Sequence, residues 1–229
     1  MSKLKLMHIM VGVHNPMLQI GLDSVFDCFH FNWRADCYTD KRNVLNIDFL
    51  RIFYEFKPDI VFMHTQEEGV LSLETILTMK AGGAKIYNWT GDVRQPTPSH
   101  YIELARHIDS TLFTNLRDVE VCRDAGWKSD FLQVGFDSEH FNPTGNVSNA
   151  YPEILFLGSN YKGAFPLSGL RSEMVERLKK EFGNNFGVYG NNWDSLGNGT
   201  IDSYQEEATA YRSCKIAINL SHFAYPKYT

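Results

Sequence analysis

The sequence predicts an α/β protein with two doubly wound parallel sheets. Short apolar runs typical of buried strands alternate with helix-like segments along the chain of 229 residues. The alternation restarts near residue 153, and the preceding segment 143–152 is rich in Pro, Asn and Gly, which break regular structure. Repeated βα units favour parallel sheets with right-handed crossovers. We therefore predict an N-terminal domain at 1–142, a linker at 143–152 and a C-terminal domain at 153–229.

The N-terminal domain contains five predicted strands separated by helices. Residues 4–11 form a near-continuous apolar run, which suits a strand buried on both faces of a parallel sheet. The other strands are predicted at 60–63, 85–89, 111–113 and 131–134. Helices are predicted at 17–29, 72–80, 99–107 and 117–124, with another before Pro58 that places Ile47, Leu50 and Tyr54 on one face.

The C-terminal domain begins a second series of the same kind. Its strands are predicted at 154–157, 186–189 and 215–220. Between the first two strands, apolar residues recur at every fourth position and predict an amphipathic helix: Leu170, Met174, Leu178 and Phe182. Ser203 followed by Glu206 fits a capping box that opens a further helix, extending to about residue 213.

Composition and charge exclude several classes of protein. The net charge is −5 and no basic run exceeds Lys179-Lys180, which argues against a basic stripe for nucleic acid or a membrane surface. The N-terminal apolar run contains His8 and leads into a glycine loop, which indicates a strand and not a signal peptide. No run of 18 apolar residues could span a membrane. We expect a soluble, cytoplasmic protein.

The spacing of cysteines and histidines predicts neither a metal site nor a disulfide. The four cysteines lack CxxC spacing, so free thiols in a reducing compartment are favoured over disulfides or zinc: Cys28, Cys37, Cys122 and Cys214. The eight histidines are scattered, without HExxH or paired metal spacing. No metal and no cofactor is therefore predicted.

The segment between the two domains carries the most specific motif. Residues 132–134 resemble an apolar strand and are followed by a glycine turn, an acid, an aromatic and a proline: Gly135, Phe136, Asp137, Phe141 and Pro143. An aspartate beside a glycine turn can accept backbone N–H bonds and hold a hinge, so Asp137 is interpreted as structural. The pattern resembles the interdomain joint of GT-B glycosyltransferases, especially family 4-like and CgeB-like (spore maturation) enzymes. Those enzymes carry a Gly-hydrophobe-Asp element and then Phe-x-Pro.

This resemblance covers essentially the whole chain and implies a fold and an activity. GT-B enzymes have two Rossmann-like, doubly wound domains, and this chain stops early in the second. We therefore expect an incomplete second domain, which a second chain could complete. The implied reaction moves a sugar from a nucleotide sugar, with a UDP-sugar favoured, to a hydroxyl acceptor: a glycan, a protein, a small molecule or a modified DNA base. It implies no metal and, for family 4-like members, retention of the anomeric configuration.

Candidate acceptor residues follow from the rule that ligands bind beyond the carboxyl ends of parallel strands. The loop after the strand 85–89 combines an acid and a base, Asp92 and Arg94, in a glycine-containing segment. A carboxylate that accepts a hydrogen bond from a hydroxyl can act as general base, so Asp92 is the predicted catalytic residue. The alternative is that Asp92 and Arg94 form an ion pair that only fixes the conformation of the loop. The predicted acceptor contacts are His14, Asn15, His64, Arg94 and Asn115.

For two of these residues a structural role is an open alternative. Asn115 is equally suited to capping the helix that begins near Arg117. His64 could be a histidine satisfied by its surroundings at the end of a strand.

Candidate donor residues lie mainly in the second domain. The departing nucleoside diphosphate needs backbone N–H donors and a cation, and the cations available near the first glycine loop are Lys162 and Arg171. The segment after the next strand could hold the nucleobase by stacking and amide hydrogen bonds. The predicted donor contacts are Gly12, Gly158, Ser159, Asn160, Lys162, Tyr189, Gly190, Asn191, Asn219, Ser221 and His222.

Two other functions are compatible with this sequence. Sugar-nucleotide 2-epimerases share the GT-B architecture, and a non-catalytic subunit that binds sugar nucleotides would fit the early end of the second domain. Transfer to modified bases of DNA is disfavoured by the acidic balance, because duplex binding depends on phosphate neutralisation.

Overall fold

The computed structural model describes residues 2–10, 16–94, 96–135 and 137–224. The chain forms two compact units, Met1–Gly135 and Phe136–Thr229. Each is an α/β unit with a parallel sheet, which confirms the predicted fold class. No helix in the described ranges is long and apolar enough to cross a membrane.

Unit 1 is built on a parallel sheet of six strands in the order β2-β1-β3-β4-β5-β6. The strands are β1 (Lys5–Met10), β2 (Asp27–Asn32), β3 (Ile60–Met63), β4 (Lys85–Thr90), β5 (Ser110–Phe113) and β6 (Ser129–Phe131). The helices are α1 (Pro16–Val25), α2 (Arg42–Phe56), α3 (Leu73–Ala81), α4 (Ser99–Ala105) and α5 (Leu116–Asp124). The strand order reverses between β1 and β3, which makes that position the switch point of the sheet.

The core of unit 1 lies on both faces of the sheet. Met7 and Ile9 of β1 pack with residues of α2 and α3 on one face. Leu6 of the same strand packs with Phe62 and Trp89 on the other face, beneath apolar residues of α1. Strand β1 is buried from Leu6 onward, as its continuous apolar run predicted.

Strand β2 is a correction to the sequence prediction, which placed a helix at 17–29. The helix ends at Val25, and Phe26 N still donates to Leu22 O at 2.8 Å. Asp27 N already donates to Leu4 O of the sheet at 2.9 Å. Because the chain passes from helix to strand without a polar loop, the usual boundary signal is missing.

Strand β6 also differs from its prediction at 131–134. It runs from Ser129 to Phe131, and the next four residues are exposed and outside any strand. One ladder bond continues beyond it, from Leu132 N to Phe113 O at 2.9 Å. β6 is the edge strand and pairs only with β5, and Phe131, Leu132 and Val134 are exposed there.

Unit 2 repeats the first part of this topology with a parallel sheet of three strands. Their order is β8-β7-β9, with β7 (Ile154–Leu157), β8 (Phe186–Tyr189) and β9 (Ile216–Ile218). Two helices connect them, α6 (Ser168–Phe182) and α7 (Tyr204–Ser213). The core contains Phe156, Val175, Phe186, Val188 and Trp193. The strands and both helices lie where the sequence predicted them, with β9 shorter than expected.

The predicted faces of two helices are wrong. In α2 the buried residues are Leu45, Phe49 and Phe53, whereas Ile47 is 67% exposed. In α6 the predicted apolar stripe is largely exposed, and the buried face carries Ser168, Arg171 and Val175. Helix α2 has apolar residues around much of its circumference, and in α6 the buried side lies at the edge of the apolar stripe, where Leu178 still packs against the core. Periodicity therefore identified each helix but not the side that meets the sheet.

The start of unit 2 is held by the structural aspartate predicted there. Asp137 is buried, and its Oδ1 accepts hydrogen bonds from the backbone N of Glu139 at 2.8 Å and of His140 at 3.3 Å. Its Oδ2 lies 2.5 Å from His140 Nδ1. Burial opposes ionisation, but these hydrogen bonds hold the pKa of Asp137 below its ordinary value. The predicted backbone hydrogen bonding of Asp137 is therefore confirmed.

Candidate functional site

The loops that follow β7 and β8 in unit 2 approach each other closely. Gly158 N donates to Tyr189 O at 2.8 Å, and Trp193 Nε1 donates to Gly158 O at 2.6 Å. Gly190 has a φ of +142°, and a Cβ there would lie 2.5 Å from Gly158 O. Only glycine fits this position, because any side chain would collide with the neighbouring backbone.

Arg171 occupies the position behind the first of these loops. A Cβ on Gly158 would lie 2.2 Å from Arg171 Nη2, so the guanidinium group fills the space that the missing side chain leaves. Arg171 is 7% exposed, and none of the ion pairs among the described residues involves it. Its buried Nε has no hydrogen-bond partner among those residues. A buried cation without a carboxylate partner is costly unless an anion compensates it.

An aromatic cluster holds the guanidinium group in place. The guanidinium lies 4.9 Å from the Phe156 ring centroid and 5.9 Å from that of Tyr161. Arg171 Nη1 donates to His222 Nδ1 at 2.6 Å. His222 follows β9 and packs against Phe165, with ring centroids 4.5 Å apart. Burial lowers the pKa of Arg171, although guanidinium remains charged at any physiological pH.

This arrangement lies at the switch point of the unit 2 sheet. Strand order reverses between β7 and β9, and Gly158 and His222 follow the carboxyl ends of those two strands. Ligands of open parallel sheets bind at such points. Arg171 also lies in the first turn of α6, where helix N–H groups favour anions. The position therefore suits a phosphate-bearing ligand.

A cavity of about 270 Å³ lies beside the same glycines, with Tyr189 and Glu207 in its wall. Burial raises the pKa of the Glu207 carboxyl and of the Tyr189 phenol. The cavity offers both an aromatic ring and hydrogen-bonding groups. Its other lining residues are Leu157, Gly158, Ser159, Gly190, Asn191, Thr200, Ile201 and Asp202.

The predicted donor residues of unit 2 fall into two groups. Gly158, Ser159, Tyr189, Gly190 and Asn191 line the cavity, and His222 contacts Arg171.

The remaining predicted donor residues have local contacts. Asn160 N donates to Asn191 O at 2.8 Å, and Ser221 Oγ bonds the Phe223 backbone at 3.2 Å. Asn219 is exposed, and the exposed Lys162 has its Nζ 3.7 Å from Asp194 Oδ2. Lys162 thus forms a surface ion pair, and such pairs contribute little to the stability of the fold.

In unit 1 the loop after β4 carries the predicted acid and base. Asp92 is 55% exposed, with Oδ2 3.3 Å from Arg94 Nη2. His64, directly after β3, packs against Trp89 with ring centroids 4.7 Å apart and the rings tilted by 51°. Burial lowers the pKa of His64, and the charge of Asp92 partly opposes that shift. The structure therefore brings His64, Asp92 and Arg94 into one neighbourhood.

Asn115 has the contacts of a helix cap. It is buried; its Oδ1 accepts from Asp118 N at 2.9 Å and its Nδ2 donates to Asp118 Oδ2 at 2.6 Å. These contacts match the capping alternative, and its role in acceptor binding stays a prediction. Gly12, His14 and Asn15 lie outside the described residues.

Solved structures resemble this chain in fold, whereas no family model and no curated protein matches its sequence. A UDP-N-acetylglucosamine 2-epimerase from Rickettsia bellii gives a TM-score of 0.52 at 12% identity, over 97% of this chain and 70% of that one. S. aureus MnaA solved with UDP gives 0.50 at 11% identity, over 95% and 69%. The lipopolysaccharide outer core galactosyltransferase WaaB, in its apo form, gives 0.50 at 12% identity, over 93% and 67%. The chain has the GT-B fold.

Within this GT-B chain, sequence reasoning missed part of the site. Arg171 was considered as one of two cations, but nothing in a single sequence distinguishes a buried arginine from an exposed one. Glu207 and the loop residues Thr200, Ile201 and Asp202 line the cavity and were not predicted. Their only signal was position, since α7 and the loop before it follow β8.

Proposed function

We propose that this chain is a glycosyltransferase that moves a sugar from a nucleotide-sugar donor, with a UDP-sugar favoured, to a hydroxyl acceptor. The observation that carries the proposal is Arg171, a buried guanidinium without a carboxylate partner among the described residues, at the switch point of unit 2. Because Gly158 has no side chain, the guanidinium group lies directly against the loop after β7. This combination matches the needs of a diphosphate.

Each part of the proposed donor then has a counterpart in unit 2. The diphosphate contacts Arg171 and the N-terminus of α6, and the nucleoside enters the cavity beside Tyr189 and Glu207. As the sugar leaves, negative charge grows on the diphosphate, and a fixed guanidinium stabilises that charge without reorganising. This chemistry requires no metal, and we propose that none takes part.

Unit 1 supplies the proposed acceptor side. Asp92 is the proposed general base, because it is an exposed carboxylate at the carboxyl edge of the sheet with one weak partner, Arg94. His64, with its lowered pKa, is a neutral hydrogen-bonding group nearby. The acceptor class, retention of configuration and kinship with CgeB-like and family 4-like enzymes remain proposals, supported by the sequence motif and the fold.

A sugar-nucleotide 2-epimerase is the second candidate. The observation that favours it is the likeness to the Rickettsia bellii epimerase, whose TM-score of 0.52 is similar to the 0.50 of WaaB. Incubation of the chain with a UDP-sugar and no acceptor separates the two functions. An epimerised nucleotide sugar supports the epimerase, and transfer only after addition of an acceptor supports the transferase. Binding without either product supports a non-catalytic subunit.

The role of Arg171 is tested by binding of UDP to the full chain. We expect UDP to raise the melting temperature of the wild type, because a ligand that binds only the native state stabilises it. Arg171→Gln should weaken UDP affinity by roughly 10- to 100-fold, the effect of losing a charge-assisted hydrogen bond. Arg177→Gln is the matched control, because Arg177 is exposed on the same helix.

Circular dichroism must show that Arg171→Gln still folds. If it folds and binds UDP like the wild type, or if Arg177→Gln shows the same loss, the donor assignment is wrong. Absence of UDP binding to the wild type would also contradict it, once a panel of other nucleoside diphosphates fails as well.

A further inference from the structure

A second cluster of reactive side chains lies in unit 1, away from the loops at the carboxyl ends of the strands. Asp23, Cys28 and His30 each place one ligand atom within 4.8 Å of the other two. Asp23 Oδ1 lies 2.9 Å from His30 Nε2, and Cys28 Sγ lies within 4.8 Å of a ligand atom of each. One carboxylate therefore joins a thiol and an imidazole.

The fold brings these residues together through the unexpected strand β2. Cys28 and His30 are two positions apart, so their side chains point to the same face of the strand. Cys28 packs with the apolar residues of α1 that cover this face. Asp23 lies in the last turn of α1, directly before the chain enters β2. The cluster thus connects the end of a helix to an edge strand.

A buried histidine lies behind the cluster. His8 pairs with His30 in the β1–β2 register, and their Nδ1 atoms are 3.1 Å apart. His8 is 1% exposed, and its Nε2 has no hydrogen-bond partner among the described residues. Contact with His8 occupies Nδ1 of His30 and leaves Nε2 directed at Asp23.

We propose that Asp23, Cys28 and His30 form a binding site for a divalent transition-metal ion, with zinc as the best match. Carboxylate oxygen, thiolate sulfur and imidazole nitrogen are all zinc ligands, and the sulfur and nitrogen disfavour calcium and magnesium. Water completes the tetrahedron, since the side chain of Asp23 is half exposed. Binding releases the thiol proton of Cys28 and leaves Nε2 of His30 unprotonated for the metal.

The arrangement around His30 is that of a supported metal ligand. Histidines that bind metals usually hold a hydrogen bond through the other ring nitrogen, which fixes the orientation of the ring. Here His8 is the partner of the other ring nitrogen, with its Nδ1 3.1 Å from Nδ1 of His30. The carboxylate of Asp23 also attracts a cation to the cluster.

The experiment measures metal binding to the full chain after treatment with a chelator and desalting. We expect one Zn²⁺ per chain by competition with a chromogenic chelator, and a sulfur-to-cobalt charge-transfer band when Co²⁺ is added. Cys28→Ser should abolish that band, because it removes the sulfur ligand. Both Cys28→Ser and His30→Gln should weaken zinc binding at least about tenfold. Cys37→Ser is the matched control, because Cys37 is an exposed free cysteine of the same unit.

The outcomes separate this proposal from the alternatives. If the wild-type chain binds neither ion, the proposal is wrong. It is equally wrong if Cys37→Ser removes the band while Cys28→Ser keeps it. Melting temperatures in chelator show whether the variants fold. Arg171→Gln should bind zinc like the wild type, so this test is independent of the proposed transferase activity.

Discussion

Two charged residues central to the proposed reaction have opposite surroundings. Arg171 is buried against Phe156 and Gly158, so its position is set by packing. Asp92 is exposed, and its one described ion pair, with Arg94, spans 3.3 Å. An exposed pair contributes between zero and about 1 kcal/mol to stability, which makes Asp92 replaceable without loss of the fold. A substitution of Asp92 therefore tests the chemistry without disturbing the fold, whereas a substitution of Arg171 needs a separate check of folding.

Replacing Asp92 with Asn tests the catalytic residue at this scale. Asp92→Asn removes the base but keeps the size of the side chain, so transfer should fall by roughly 100- to 10,000-fold. UDP affinity should stay within about threefold, because the proposed nucleotide contacts lie in unit 2. The measurement is the rate of sugar transfer together with the UDP titration.

Asp124→Asn provides the control, since Asp124 is an exposed carboxylate elsewhere in unit 1. Unchanged turnover in Asp92→Asn would remove this residue from the mechanism. A similar loss in both variants would indicate a general effect of charge.

At the scale of elements, the helices of both units turn unexpected faces to their sheets. In α2 the sheet receives Leu45, Phe49 and Phe53, and Ile47 faces solvent. In α6 the same kind of rotation brings Arg171 to the loop after β7. The same rotation of α6 that leaves apolar side chains exposed therefore places Arg171, the proposed diphosphate-binding residue, beside Gly158.

A pair of alanine substitutions tests the orientation of α2. Leu45→Ala should lower the free energy of unfolding by about 2–5 kcal/mol, because it opens a cavity in a closely packed core. Ile47→Ala removes a similar apolar volume from an exposed position and should change it by less than about 0.5 kcal/mol. Urea denaturation of both variants measures the difference. Equal losses, or a larger loss for Ile47→Ala, would contradict the described face.

At the scale of the whole molecule, the chain divides into units with different chemistry. Unit 2 has the buried cation and the cavity beside paired glycines, whereas unit 1 has the exposed acid and base after β4. In both sheets the first strand along the chain lies between the next two: β1 lies between β2 and β3, and β7 lies between β8 and β9. Each unit therefore has its own switch point, and we propose that each binds one of two substrates.

Hydrogen exchange with and without UDP tests this division. UDP should slow exchange of backbone amides at 158–163 and 190–193, the loops after β7 and β8, because the ligand shields and orders them. The loop after β4 in unit 1 should exchange as before. Mass spectrometry of the peptides reports both regions in one experiment. Protection confined to unit 1 would contradict the assignment of the donor to unit 2.

The sequence by itself determined the alternation of strands and helices, both parallel sheets and most of the loops that carry polar groups. It did so because apolar periodicity and turn residues are local properties. It also singled out Asp137, whose partners lie within three residues. The strand β2 escaped prediction because no polar loop separates it from α1.

Tertiary structure alone decided which helix faces are buried, that Arg171 lacks a carboxylate partner among the described residues, and that Asp23, Cys28 and His30 converge. The first two features depend on contacts between segments that are distant in sequence, and the third depends on the direct passage from α1 into β2. Burial and convergence are properties of the packed chain, and one-dimensional spacing does not encode them.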